Sequence, residues 1–289
     1  MFTLDYRYWE YSLTEMALND LPASITHILL TTGEPSLAYV GHSLGTDQMF
    51  ILQSLIPSIG SLVQPYIALA PVAYLTDMWS IARLGVPLEP LLRTFAFPVG
   101  VPRSFAKLLG SIVCNQHLIV DICSDVLYSF NGVDKTNINI TTVPVIVAHS
   151  IEPQSSWVYA QLSQHIKTGR YAMMDHGEKE NIRKYNQTTP PIYDLGSITS
   201  PNIILFRSLN DAFSDTADNS HLLQSLTGNN FFILILLQIL LMFCLIFIVR
   251  LIDDYIVPYP KWNHQDFQTG IFQGLYINDR LILHLNRYN

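Results

Sequence analysis

The stretch LAYVGHSLGTDQMF, Leu37 to Phe50, decides the fold, because it places one serine between two glycines. The run SLAYVG before the serine is typical of a short buried strand, and LGTDQMFILQSLI after it is typical of a helix. A strand, a sharp turn and a helix form the context of a nucleophile elbow, in which a side chain on a neighbouring position would clash. We therefore predict that Gly41 and Gly45 are sterically required and that Ser43 is a nucleophile.

The predicted helix directs its amino end toward Ser43, where backbone N–H groups can stabilise negative charge. The backbone N–H of Leu44 is the candidate oxyanion donor. A Gly-x-Ser-x-Gly pattern is weak by itself, since a chain of this length carries one by chance about one time in ten. The flanking strand and helix therefore carry the prediction.

Composition limits the classes of protein. A chain of 289 residues can form one large α/β domain with an insertion, or two smaller domains. Its net charge of −7 is spread without long runs of one sign, which argues against a nucleic-acid partner. No zinc-like cluster of Cys or His occurs in the sequence, so we predict neither a metal site nor a cofactor.

Strands and helices alternate around the elbow. The Ser12–Glu15 stretch is a capping-box pattern, and DLPASITHILLTTG is typical of a helix with Ile25, Ile28 and Leu29 on one face and Gly33 at its end. PYIALAPVAY is typical of a further buried strand. This alternation predicts a parallel sheet.

The alternation divides the chain into three parts. Residues 1–75 are predicted to form a core that contains the elbow, and residues 76–200, where the alternation is lost, a mostly helical cap. Residues 201–289 are predicted to return to the core. The predicted strands end at Val40, Ala70 and Ser208.

Two further residues complete a candidate triad. Asp211 follows the apolar run of PNIILFRSLNDAFSD, and His264 follows a later apolar run in YIVPYPKWNHQDF. The order serine, acid, histidine is that of α/β-hydrolases. Other acids and histidines are interpreted as structural: the acids as caps of the next helix, the histidines as cap or surface residues. These are Asp215, Asp218, His149, His176 and His221.

The sequence resembles the acid lipases, the gastric and lysosomal lipases of animals, over nearly its whole length. The resemblance rests on the ordered blocks MALNDLPASI, YVGHSLGT, ALAPVA, CNQHLIVDIC, YNQTTPPIYD, NDAFSD and WNHQDF. It implies an α/β-hydrolase fold, a cap that gates access to lipid, and hydrolysis of triacylglycerols or sterol esters. It also implies that Ser43, Asp211 and His264 are nucleophile, acid and base. The expected partners are a lipid ester substrate and a lipid or membrane surface; the sequence predicts no oligomeric state.

The resemblance also bears on the cysteines. From the residues alone, Cys114 and Cys123 could form a disulfide or remain buried thiols. The family pairs cysteines at this spacing, so the resemblance implies a disulfide, with Cys244 unpaired.

Signals for cellular location disagree. Asn139 and Asn186 lie in glycosylation sequons and are candidate glycan acceptors. The amino terminus, however, has aromatic and acidic residues where a signal peptide needs a basic start and an apolar run. The family implies a secretory or lysosomal location, whereas the apolar stretch of residues 231–249 suggests membrane association.

Two departures from the family concern the oxyanion site. The residue after the nucleophile is usually Gln and is Leu44 here, which changes the pocket surface more than the backbone N–H. The chain also begins about 42 residues before Ser43, so we expect it to lack the family's first strands and a second oxyanion donor. Loss of one such donor typically lowers turnover by a factor on the order of 10² to 10³.

A third departure is FFILILLQILLMFCLIFIV, residues 231–249, in which Gln238 is the one strongly polar residue. As a helix it would span about 28 Å, close to the thickness of a bilayer core. A single crossing would separate Asp211 from His264. Three interpretations stay open: a membrane anchor in a chain without catalysis, a loop that leaves both flanks on one side, or a segment introduced by faulty gene assembly.

Two functional hypotheses therefore compete. The first is a lipid ester hydrolase with a Ser-Asp-His triad. The second is a catalytically impaired, membrane-anchored lipase remnant that retains the fold.

Overall fold

A computed structural model of the chain describes residues 5–150, 152–198, 200, 202–227 and 251–288. A four-stranded parallel sheet runs through it in the order β1-β2-β5-β6, and a short antiparallel pair, β3-β4, lies apart from this sheet. The strands are β1 Leu37–His42, β2 Val63–Leu69, β3 Pro98–Val99, β4 Gln154–Ser155, β5 Ile203–Arg207 and β6 Leu251–Ile256. The sheet thus contains the strands predicted around Val40, Ala70 and Ser208.

Helices cover the sheet and form most of the segment between β2 and β5. The α-helices of the described residues are α1 Leu13–Glu15, α2 Leu21–Thr32, α3 Leu44–Leu55, α4 Glu89–Thr94, α5 Arg103–Leu108, α6 Val120–Asn131, α7 Val143–Ser150, α8 Ser156–Thr168, α9 Glu178–Tyr185, α10 Thr216–Thr227, α11 Asp266–Thr269 and α12 Asp279–Leu285. Segments of 3₁₀ or π geometry are Tyr6–Trp9, Met16–Asp20, Pro57–Ser61, Ile81–Leu88, Leu109–Val113, Ile140–Thr142, Leu195–Ser197 and Gly274–Asn278.

Burial separates the central strands from the edge strands. Every residue of β5 is buried, and β2 is buried except at Gln64, whereas β1 and β6 contain exposed positions. Central strands of a parallel sheet are covered on both faces and therefore have continuous apolar sequences. This explains why PYIALA and IILF contain so few polar residues.

Alternate side chains of the central strands enter two different cores. Tyr66 and Ala68 of β2 pack in the cluster that contains α3, whereas Ile67 packs in a second cluster on the other face. In β5, Leu205 joins the first cluster and Phe206 the second. Successive side chains of a strand point to opposite faces of the sheet, which produces this division. The apolar side chains on each face allow helices to pack on both faces of the sheet.

The amino-terminal capping box is confirmed. The Ser12 side chain accepts from the backbone of the first turn, and the Glu15 carboxylate accepts from the backbone N–H of Ser12 at 2.7 Å. The predicted face of α2 is only partly correct, because Ile25 is buried but Ile28 is 45% exposed. A peripheral helix that contacts the core along a narrow stripe can bury few of its apolar residues.

Between β2 and β5 the structure has helices α4 to α9 and the β3-β4 pair. The boundaries of a separate cap, 76–200, stay a prediction. Within this segment Cys114 and Cys123 form a disulfide, with Cα atoms 5.9 Å apart, and they pack with Val143 and Val147.

Within residues 5–150, 152–198, 200, 202–227 and 251–288, no helix is both long enough and apolar enough to span a bilayer. The apolar stretch 231–249, with Cys244, lies outside these residues. Its interpretation as a membrane anchor, loop or assembly error therefore stays untested.

We predict that the double substitution Cys114→Ala and Cys123→Ala lowers the free energy of unfolding. Closing a loop of this length is worth about 2 to 3 kcal/mol in the chain-entropy model. Urea unfolding of the variant, compared with the unsubstituted chain under non-reducing conditions, measures the change. An unchanged midpoint would contradict a stabilising bond.

Candidate active site

Ser43 lies at the carboxyl end of β1, where the chain turns sharply into α3. Its backbone has φ 55° and ψ −121°, a conformation that residues other than glycine rarely adopt. The Ser43 N–H donates to the carbonyl of Leu69 at 3.1 Å, and the Ser43 carbonyl accepts from the N–H of Thr46 at 2.8 Å. The neighbouring strand and the first turn of the helix therefore hold the turn from both sides.

The two glycines of the motif are not equivalent. A Cβ atom on Gly41 would lie 2.8 Å from the backbone carbonyl carbon of Gly45, which is too close for real atoms. A Cβ atom on Gly45 would lie 3.6 Å from the hydroxyl of Tyr39, an ordinary contact. The prediction that both glycines are sterically required is therefore wrong for Gly45. Only Gly41 lies against the backbone of α3, whereas Gly45 is part of that helix and faces a side chain.

The side chains of Ser43, His264 and Asp211 form one chain of hydrogen bonds. Nε2 of His264 lies 2.7 Å from Oγ of Ser43, and Nδ1 lies 2.9 Å from both carboxylate oxygens of Asp211. Since a carboxylate accepts, Nδ1 of His264 carries the proton. Nε2 of the neutral ring is then the acceptor for the serine hydroxyl.

Asp211 follows β5 and is held by its own loop. The N–H groups of Phe213 and Ser214 donate to its Oδ1 at 2.9 and 2.7 Å, and the residue is buried. These two hydrogen bonds fix the carboxylate in the orientation that faces His264.

The neighbouring acids have other partners. Asp215 accepts from the N–H of Ala217 at the start of α10, as a helix cap does. Asp218 does not cap this helix as predicted; it accepts from the backbone N–H groups of Thr76 and Asp77 at 3.0 and 2.9 Å. Its position in the first turn of α10 turns the carboxylate toward the chain leaving β2.

The three histidines interpreted from the sequence as cap or surface residues have no contact with Ser43, His264 or Asp211 among their described partners. His149 is exposed, and His221 stacks on Tyr74 with ring centroids 3.8 Å apart. His176 packs against Trp157, and burial, followed by the charge of Lys184, lowers its pKa to about 4. Their interpretation as structural histidines is consistent with these contacts.

The residues that bring the loop of Asp211 and the loop of His264 together were not identified from the sequence. The carbonyl of Asn131, at the end of α6, accepts from the N–H of Ala212 at 3.3 Å and from the N–H of His264 at 3.1 Å. The next residue, Gly132, has φ 106°, and a Cβ atom there would lie within 2.1 Å of the Asn210 carbonyl oxygen. The Asn-Gly dipeptide is the sequence signal that could have found this close approach.

Leu44 is the first residue of α3, so its backbone N–H has no acceptor within the helix. Its position directly after Ser43 leaves this N–H available to an oxyanion at the elbow. The Leu44 side chain is half-buried and packs against the main core.

Both sequon asparagines are exposed. The Asn139 side chain accepts from the N–H and hydroxyl of Thr141 at 3.1 and 2.8 Å, and Asn186 ends α9 in a left-handed conformation. Glycosylation at these residues stays a prediction. Within the described parts of the chain, no group of three or more His, Cys, Asp or Glu side chains could hold a metal ion.

Two buried carboxyls lie in the elements that carry the site. Burial raises the pKa of Asp47, on the first turns of α3, to about 7, although the Tyr171 hydroxyl donates to its Oδ1 at 2.5 Å. Oδ2 of Asp47 is buried without a partner. Burial also raises the pKa of Asp266, two residues after His264, to about 7, and the nearby Asp134 carboxyl adds to this effect. Both groups therefore favour their protonated forms.

Comparison with known proteins identifies similar lipases. The chain is 32% identical to the gastric triacylglycerol lipase of Rattus norvegicus, over 76% of this chain and 57% of that one. It is 30% identical to the lysosomal acid lipase/cholesteryl ester hydrolase of Homo sapiens, over 97% of this chain and 65% of that one. The chain thus spans less than two thirds of the length of these relatives. No family model matches it.

Among solved structures, a lipase-like protein from Sulfolobus solfataricus superposes with a TM-score of 0.56 at 13% identity, over 97% of this chain and 67% of that one. At this identity the match shows the fold alone. With the parallel sheet and its flanking helices, it identifies an α/β-hydrolase fold.

We predict opposite effects for alanine at the two elbow glycines. Gly41→Ala forces overlap with the backbone of α3 and should lower the free energy of unfolding by about 1 to 3 kcal/mol or more. Gly45→Ala, inside the first turn of the helix, should be neutral or stabilising by up to about 1 kcal/mol. Urea unfolding of both variants measures the difference, and equal destabilisation would contradict the distinction.

We also predict that the free energy of unfolding falls as the pH rises from about 4 to about 7, because folding raises the pKa of Asp47 across this range. The pKa of this group is raised from 3.8 to about 7 by folding, so the folded state binds more protons than the unfolded state between these values. Stability from this group is then fully present below about pH 4 and declines up to about pH 7, by on the order of 4 kcal/mol.

The Asp47→Asn variant tests this expectation, because an amide retains an acceptor for Tyr171 but does not titrate. Its free energy of unfolding, measured in urea at several pH values between about 4 and 7, should fall less steeply than that of the unsubstituted chain. Any remaining slope includes the contribution of Asp266. Parallel curves for the two proteins would contradict the assignment to Asp47.

Proposed function

This chain belongs to the acid lipase family, as a homologue of the gastric and lysosomal lipases, and from that premise we propose that it hydrolyses ester bonds of lipids with Ser43, His264 and Asp211. The observation that carries the proposal is the 2.7 Å contact between His264 Nε2 and Ser43 Oγ, with Asp211 on the opposite ring nitrogen. A serine in a strained turn, a base on its hydroxyl and an acid behind the base are the requirements for nucleophilic attack on a carbonyl.

In the proposed mechanism, His264 accepts the proton of Ser43 at Nε2 while Oγ attacks the ester carbonyl. Asp211 holds the imidazole by its Nδ1–H and stabilises the imidazolium. The Leu44 N–H donates to the oxyanion. His264 then gives its proton to the leaving alcohol. In the second half, His264 accepts a proton from water as that water attacks the acyl carbon, the bond to Ser43 Oγ breaks, and the ring returns the proton to Oγ as the acid is released.

The names of the relatives support triacylglycerols or sterol esters as the substrate class. They also support a secretory or lysosomal location. The Cys114–Cys123 disulfide is compatible with an oxidising compartment, and the exposed sequons at Asn139 and Asn186 are compatible with glycosylation there.

We predict that the 289-residue chain hydrolyses a short-chain p-nitrophenyl ester and that Ser43→Ala abolishes this activity. Ser43→Ala and His264→Gln should each lower kcat by on the order of 10⁴-fold or more, and Asp211→Asn by about 10⁴-fold. A fluorophosphonate probe, followed by intact mass spectrometry, should label the unsubstituted chain but not Ser43→Ala.

Matched controls separate the site from the fold. Ser61→Ala, Asp215→Asn and His221→Gln make the same chemical changes at residues outside the hydrogen-bonded chain, and they should hydrolyse the ester at near-normal rates. Turnover by Ser43→Ala equal to that of the unsubstituted chain would disprove the assignment. A chain that neither turns over nor reacts with the probe would favour the impaired remnant.

A further inference from the structure

His42, the last residue of β1, lies immediately before Ser43 and contacts the loop that carries His264. Its Nε2 atom is 2.9 Å from the carbonyl oxygen of His264. Because a carbonyl oxygen only accepts, Nε2 of His42 must carry the proton in this contact. Burial, followed by the neighbouring His264 side chain, lowers the pKa of His42 to about 4. The ring is therefore neutral through the range of about pH 5 to 8 in which an ordinary histidine titrates.

The two histidine rings also pack against each other. Their centroids are 4.8 Å apart with an interplanar angle of 46°, and the ring of Phe213 lies 4.9 Å from that of His264. Phe267 lies 6.3 Å from the His42 ring and belongs to a buried cluster. His264 thus has ring contacts with residues from the elbow and from the Asp211 loop.

Sheet pairing alone does not bring His264 to Ser43. In the order β1-β2-β5-β6, the strand before His264 is separated from the elbow strand by two others, or about 14 Å at ordinary strand spacing. The loop after β6 must therefore return across the carboxyl edge of the sheet. Its backbone is held at His264 on both sides, by the Asn131 carbonyl on the N–H and by His42 on the carbonyl.

We propose that His42 is a positioning residue for His264: its Nε2–H binds the His264 carbonyl and its ring packs against the imidazole, which fixes the base within reach of Ser43. The elbow then supplies both the nucleophile and an anchor for the base that activates it. This inference rests on the proposed function, because its consequence is the reactivity of Ser43. An error of about 1 Å in such a contact can lower a rate by about 10²-fold.

Three substitutions separate the hydrogen bond from the ring. His42→Phe keeps an aromatic ring but removes the donor, His42→Gln keeps a side-chain N–H at a similar reach, and His42→Ala removes both. His27, exposed on α2, provides the matched controls His27→Phe and His27→Gln. Thermal unfolding of each variant checks that the fold is retained.

The first measurement is the rate of fluorophosphonate labelling at Ser43, together with kcat and KM for the short-chain ester. We expect His42→Phe to lower both the labelling rate and kcat by about 10-fold or more, with KM within about twofold of normal. His42→Gln should restore both rates to within about 3-fold, and His42→Ala should be the slowest. Both His27 variants should behave as the unsubstituted chain.

A folded His42→Phe variant that labels and turns over at the normal rate would overturn the proposal. Equal loss in His42→Phe and His42→Gln would also overturn it, since the donor would then be irrelevant. If instead KM rises while kcat is unchanged, His42 acts on substrate binding and the positioning role is wrong.

A second measurement does not depend on hydrolysis. In the ¹⁵N-histidine-labelled chain, the Nδ1 proton of His264, bonded to Asp211, should give a distinct downfield NMR signal, assigned by its loss in His264→Gln. We expect this signal to persist in His42→Gln and to broaden or vanish in His42→Phe. An unaltered signal in His42→Phe would overturn the positioning role. An unsubstituted chain that shows the signal but lacks labelling and turnover would contradict the proposed function and not the role of His42.

Discussion

The close approach of α3 to the end of β1 is the constraint on which the rest of the site depends. It exists only because Gly41 has no Cβ atom, which would lie 2.8 Å from the backbone of Gly45. The approach places Ser43 in a strained conformation with φ 55° at the tip of the turn. Such strain costs on the order of 1 to 3 kcal/mol and persists only where surrounding structure enforces it. Here the enforcing contacts are the Leu69 carbonyl on one side and the helix on the other.

The order of strands in the sheet brings Asp211 closer to this point than His264. Asp211 follows β5, which is two positions from β1, and its loop is held by its own backbone N–H groups. His264 follows β6 at the opposite edge of the sheet, so its position depends on contacts from other elements. The Asn131 carbonyl, reached through the close packing at Gly132, joins its backbone to that of Ala212. A segment between β2 and β5, expected to be part of a cap, thus also supports the site itself.

Two buried acids make the stability of the elements that carry the candidate site depend on pH. Asp47 lies on the helix that follows the serine, and Asp266 lies on the loop that carries the histidine. Neither has a cationic partner among its described contacts, and the low polarity around each favours the neutral acid. Protonation of these two acids therefore stabilises both the helix that follows Ser43 and the loop that carries His264. The effect arises from the burial of the two acids and not from the side chains of the candidate triad.

The sequence by itself determined the local features: the elbow pattern around Ser43, the capping box at Ser12, and the order of serine, acid and histidine that suggested an α/β-hydrolase. These depend on residues close together in the chain or on ordered motif blocks, so they can be recognised before the folded structure is known. The roles of Ser43, Asp211 and His264 as catalytic residues remain predictions that the proposed experiments address.

Only the tertiary structure decided that Gly41 and not Gly45 is sterically required, and that Asp218 binds the chain after β2 instead of capping its helix. It alone identified His42 and Asn131 as contacts of the candidate site, and Asp47 as a buried acid on the helix that follows Ser43. Each of these results depends on which atoms from distant parts of the chain meet after folding. A motif specifies the conformation of its own few residues, whereas a contact across more than 200 residues, such as His42 with His264, exists only once the sheet and its loops are assembled.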